Sequence, residues 1–173
     1  GKEWLQSDFA PDEPDFQTCQ SCHMPDTNVN PAYASSDQLY NRTGDMAVHQ
    51  MAGGNAWIPD VLRQEYPNLD LNDKFIATRD WALDMLQNKS ATQELTVPPD
   101  VLEGNTLDIQ VKVTNLTGHK LPTGYPEGRR IWLNIQARDG LNNLIWESGA
   151  YDPTTGVLPE EPYIKIYDSE LVT

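Results

Sequence analysis

Residues 18–25 read Thr18-Cys19-Gln20-Ser21-Cys22-His23-Met24-Pro25, and Cys19 and Cys22 are the only cysteines of the 173-residue chain. Two thiols separated by two residues, with a histidine directly after, is the spacing of c-type haem attachment. One turn of backbone brings both thiols to the haem vinyl groups, and the histidine then falls under the iron. The stretch predicts one covalently attached haem c on Cys19 and Cys22, with His23 as an axial ligand. It also decides the fold of the first half, because a porphyrin supplies much of the apolar surface that a small domain otherwise builds from side chains.

Two other readings compete. A zinc site drawn from Cys19, Cys22, His49 and His119 has an acceptable ligand set, but its histidines lie far outside the three-to-five-residue spacing of a finger. A redox dithiol wants its Cys-x-x-Cys at the head of a helix in a βαβ unit. Here the motif follows the acidic, proline-broken stretch Asp12-Glu13-Pro14-Asp15 and precedes Met24-Pro25. The haem reading is preferred.

The net charge of −14 and a pI near 4.3 argue against nucleic acid as a partner. There is no basic patch, only the pair Arg129-Arg130. The acidity instead governs solubility and the approach of basic redox partners. A mean hydropathy of −0.59 and the lack of a long apolar run exclude a membrane-spanning helix. The opening Gly1-Lys2-Glu3-Trp4 shows no signal peptide and reads as a processed or trimmed start. Haem c is attached outside the bacterial cytoplasm, so the expected location is periplasmic or extracellular. Asn41, Asn88 and Asn115 begin N-x-S/T strings that matter only in a eukaryotic secretory setting.

The expected fold class is α+β: a small loop-rich helical haem c domain over residues 1–90, then an antiparallel β-sandwich of immunoglobulin-like type over 91–173. Residues 24–45 are dense in turn formers. Asn55 is placed to cap a short helix running to about Tyr66, with Pro59 in its first turn. Asn72 is placed to cap a longer one over about 73–88, where Phe75, Ile76, Ala82, Leu83 and Leu86 form an apolar stripe. After Ser90 the period changes to alternation, with Leu107, Ile109, Val111 and Val113 in one run and Ile131, Leu133, Ile135 and Ala137 in another. Leu95–Val97, Leu144–Glu147 and Tyr163–Tyr167 add shorter strands, and Asp139-Gly140 with Asn142-Asn143 reads as a hairpin loop. About five strands are visible where a sandwich has about seven. The sandwich is therefore expected to be incomplete, through truncation of the chain or edge strands supplied from elsewhere.

The second axial ligand decides whether the iron carries electrons or holds an open face for small ligands. His49 lies in a segment ending Gly53-Gly54-Asn55, where glycines allow backbone to approach a flat ligand. His119 lies in the loop Thr117-Gly118-His119-Lys120-Leu121-Pro122. Both are candidates, His49 ahead of His119, with Met46 and Met51 behind them.

The stretch Glu3-Trp4-Leu5 to Ser7-Asp8-Phe9, followed by Cys19-Gln20-Ser21-Cys22-His23-Met24-Pro25, resembles the multihaem cytochromes c. Residues 113–124, containing Gly118-His119-Lys120-Leu121-Pro122-Thr123-Gly124, and 127–133 resemble a β-domain appended to some of them. The chain departs from that pattern in having one attachment site, which makes it a fragment or one whose neighbours carry the other haems. The resemblance implies that the segment around His49 supplies a haem ligand and that Arg129 or Arg130 pairs with haem propionates, as guanidinium groups suit carboxylates. The functional expectation is a c-type cytochrome passing single electrons through a bis-histidine haem to redox partner proteins or adjacent haem-bearing chains, as an oligomer or within a larger complex. Its alternative is a haem enzyme with an open sixth site, a peroxidase or small-molecule reductase.

Overall fold

The structure is a computed structural model that describes residues 1–27, 46–122 and 129–168. The turn-rich residues 28–45, the side chain of Met46 and residues 123–128 of the second resembling stretch lie outside the described residues. The fold mixes helices with antiparallel strands and has no closed barrel. The chain divides into two units, Gly1–Gly118 and His119–Thr173. The first unit takes in the first long strand pair, so the change of sequence period near residue 90 does not coincide with this division.

In the first unit a 3₁₀ turn over Trp4–Gln6 leads to the short helix α1, Cys19–His23, and then to β1, Asp26–Thr27. β1 pairs antiparallel with β2, Met46–Ala47. Trp4 is held by its indole N–H, which donates to the Gln17 carbonyl at 2.9 Å, and its ring tilts against Phe16. Gly118, at the far end of the unit, packs on that ring: a Cβ there would lie 2.9 Å from Trp4 Cδ1.

Helix α2, Ile58–Glu65, has Trp57 and not Asn55 at its N-cap position, although the Asn55 side chain accepts the Ile58 N–H at 3.1 Å, and Pro67 follows its end. Helix α3 spans Asn72–Asp84 and passes into a π-helical turn, Met85–Lys89. Its start differs from expectation: Leu71 occupies the N-cap position with no side-chain bond, and Asn72 is already helical. Asp60 joins the two helices, accepting from Arg63 at 3.1 Å and Arg79 at 3.5 Å. Strand β3, Ala91–Thr96, then pairs antiparallel with β4, Gln110–Asn115, in a register that sets Leu95 opposite Val111. The alternation beginning at Leu107 becomes strand only from Gln110.

The second unit turns the alternating run 131–138 into two strands. β5, Ile131–Trp132, pairs with β8, Ile166–Tyr167, while β6, Ile135–Arg138, pairs with β7, Leu144–Ser148. The break falls at Leu133 and Asn134. Asn134 Nδ2 donates to Glu147 Oε1 at 2.7 Å and to the Gly149 carbonyl at 3.0 Å, and the Trp132 indole reaches the same carbonyl at 3.0 Å. Gly149 has φ +77°, and a Cβ there would strike the Leu133 carbonyl. The β6–β7 loop is closed by Asp139, whose carboxylate accepts from the Leu141 and Asn143 N–H groups and the Asn143 amide. These bonds, the Asn143 amide foremost, hold the Asp139 carboxyl below its ordinary range.

Candidate functional site

Helix α1 is the Cys-x-x-Cys-His stretch itself, and its form follows from the residue before it. Thr18 Oγ1 accepts the Ser21 N–H at 3.2 Å while Ser21 Oγ accepts the Thr18 N–H at 3.3 Å, a reciprocal cap of the first turn. The other end closes when Met24 N–H donates to the Gln20 carbonyl at 2.7 Å. Cys19 and Cys22, three residues apart on a helix, lie on one side of it. Both are exposed and unbridged, and the Cys22 thiol donates to Gln17 Oε1 at 3.3 Å.

His23 is half-buried, and its Nδ1 lies 2.5 Å from the Ala52 carbonyl oxygen. A carbonyl can only accept, so Nδ1 is the donor in this contact. A metal-binding histidine commonly has one ring nitrogen held by a backbone carbonyl in this way. The strand pair brings the acceptor there. Asp26 and Thr27 pair with Ala47 and Met46, and Val48 N–H donates to the Pro25 carbonyl at 2.9 Å. The chain then turns tightly, with Gln50 N–H on the Val48 carbonyl at 2.8 Å and Met51 at φ +48°, and delivers buried Ala52 behind the imidazole.

Among the described residues the buried apolar side chains are Ala52, Ala82 and the prolines Pro59 and Pro122. Met51, Trp57 and Tyr66 stand exposed in the first unit, at 69, 64 and 56%. The hollow lined by Arg63, Tyr66, Pro67, Asn72 and Phe75 holds about 90 Å³, far below the size of a ligand pocket. Among the described residues no group of three or more His, Cys, Asp or Glu side chains converges to hold a metal ion, so the four zinc candidates form no cluster. The two thiols on one helical turn, the oriented imidazole and the uncovered apolar surface are chemically suited to a haem c. The chain matches no family model, no curated protein and no solved structure.

The first unit thus brings together Cys19, Cys22 and His23 and, through Ala52, the segment that bears His49. His49 itself is exposed. His119 belongs to the second unit, half-buried, with Nδ1 3.4 Å from the Lys120 carbonyl, just before a cis Leu121–Pro122 peptide. Arg129 is half-buried and Arg130 exposed, both also in the second unit. Among the described residues no helix is long and apolar enough to cross a membrane. Ala52 escaped the sequence reading, because a backbone acceptor leaves no side-chain signature.

Proposed function

We propose that the chain is an extracytoplasmic c-type cytochrome that passes single electrons through one haem c. The observation that carries this reading is the contact between His23 Nδ1 and the Ala52 carbonyl at the end of the capped Cys-x-x-Cys-His turn. In it Cys19 and Cys22 would hold the haem as thioethers, with His23 as a ligand to its iron. The bound haem supplies one-electron exchange at iron, with a potential set by axial ligands, burial and hydrogen bonding. The Ala52 carbonyl fixes the orientation of the imidazole. A histidine completes the coordination, His49 and His119 being the candidates within the chain.

The rest of the proposal keeps the resemblance to multihaem cytochromes c. The strands after residue 90 belong to an immunoglobulin-like sandwich that packs or docks against neighbours, and Arg129 or Arg130 pairs with propionates. Redox proteins or adjacent haem-bearing chains, in the periplasm or outside the cell, are the electron partners. An absorption spectrum of oxidised and dithionite-reduced protein, with a pyridine haemochrome on the same sample, tests the reading. One haem c per chain, low-spin and unchanged by carbon monoxide, is expected. A high-spin ferrous form that binds carbon monoxide makes it a haem enzyme instead, and zinc without iron ends the haem reading.

A further inference from the structure

We infer that Gln17 is a positioning residue for the Cys22 thiol and sets an order between the two cysteines, holding Cys22 so that an electrophile meets Cys19 first. The inference goes beyond the proposed function, because it concerns the free thiols and needs no haem. Both sulfurs are exposed, so access alone does not separate them. Hydrogen bonding does. Cys22 Sγ donates to Gln17 Oε1 at 3.3 Å, whereas the Cys19 thiol has no such partner among the described residues.

The contact follows from the cap. With Thr18 at the N-cap of α1, Gln17 is the residue before the cap and Cys22 the fourth residue of the helix. A reciprocal cap turns the entering chain so that these two positions meet, a place usually taken by an apolar pair. Here the pair is an amide and a thiol. The backbone that carries the amide is pinned on both sides: Gln17 N–H donates to the Phe9 carbonyl at 3.3 Å, and the Gln17 carbonyl accepts the Trp4 indole N–H at 2.9 Å. Trp4 is fixed in turn. Its ring tilts against Phe16, and Gly118 closes on it so tightly that a Cβ would lie 2.9 Å from Cδ1. Distant stretches of the first unit thus converge on the acceptor of one thiol and leave the other unheld.

Reaction at a sulfur uses its S–H bond, so the Cys22 contact must open before an electrophile can take that place. A hydrogen bond exposed to water shifts such an opening by about two- to tenfold, and a thiol is a weak donor, so about two- to threefold applies. The Cys19 thiol has no contact to open.

The test is alkylation of the full chain, with both thiols reduced, by limiting iodoacetamide at one fixed pH. Each event forms a carbon–sulfur bond, expels iodide and passes the thiol proton to buffer, and peptide mass spectrometry gives the ratio of the Cys19 and Cys22 rates. Relative to the same chain in concentrated urea, wild type is expected to favour Cys19 by about two- to threefold. Gln17→Leu keeps the bulk and removes the acceptor, and it is expected to return the ratio to the urea value by speeding Cys22 alone. Gln17→Glu keeps an acceptor and is expected to retain the bias. A wild-type ratio equal to that in urea overturns the inference. So does a Gln17→Leu chain that keeps the wild-type ratio or slows Cys22. The Cys19 rate separates loss of the contact from loss of fold, which moves both sulfurs. Should Gln17→Leu not fold, loss of the bias in Gln17→Glu at an unchanged Cys19 rate still overturns the inference. The pyridine haemochrome tests the haem reading on a separate sample, so either can fail without the other.

Discussion

Thr18→Ala isolates the device that shapes the Cys-x-x-Cys-His turn. The substitution removes the acceptor of the Ser21 N–H at 3.2 Å, and it deprives Ser21 Oγ of its 2.9 Å hydroxyl partner. Loss of an N-cap side chain costs about 0.5–2 kcal/mol, with solvent-exposed, peptide-like sites at the low end. Residue 18 is exposed and α1 has five residues, so about 0.5–1 kcal/mol applies. That corresponds to a two- to fivefold loss in the population of the turn. Hydrogen exchange at the Ser21 amide, followed by NMR in protein without haem, should accelerate by that factor, and Thr18→Ser should restore it. The yield of covalently loaded protein under limiting haem should fall in the same order. If the Ser21 amide exchanges at the wild-type rate in Thr18→Ala, the cap does not hold the turn and the account of α1 is wrong.

Two further outcomes concern the second unit. Gly149→Ala should cost about 2–4 kcal/mol, combining left-handed strain of about 1–2 kcal/mol with the overpacking of a Cβ against the Leu133 carbonyl; urea unfolding of the two proteins measures it. Acid should weaken the same unit. Asp139, Glu147 and Asp152 are held below their ordinary values of 3.8, 4.5 and 3.8, chiefly by hydrogen bonds from Asn143, Asn134 and Thr155. Their contribution is complete above those ordinary values and is lost as pH falls through the lower folded-state ones. Melting curves taken from pH 6 down to pH 2.5 should therefore show a drop beginning near pH 4, smaller in Asp139→Asn than in wild type.

The parts legible in the sequence were those whose signal lies in local side chains. Asn55 announces α2 because its amide acts three residues away, and Asp139 announces the β6–β7 loop because its carboxylate ties that loop from within. The Cys-x-x-Cys-His turn is legible for the same reason. Other features depend on partners far along the chain. The run 131–138 alternates without interruption, yet it splits because Asn134 and Trp132 are drawn to the Gly149 carbonyl. Asn72 looks like a cap, but the preceding backbone makes Leu71 the boundary. Ala52 matters to His23 through its carbonyl, and every residue has one.

With the buried apolar side chains among the described residues limited to Ala52, Ala82, Pro59 and Pro122, little free energy of burial is internal to the polypeptide. On the haem reading, loading adds burial that the polypeptide itself lacks. Trp57, Tyr66 and Met51 stand exposed on the chain itself, and a cofactor bound over part of that surface would shield it from proteases. If the chain carries the haem proposed for it, insertion would act as a quality checkpoint, with copies that fail to acquire it cleared first.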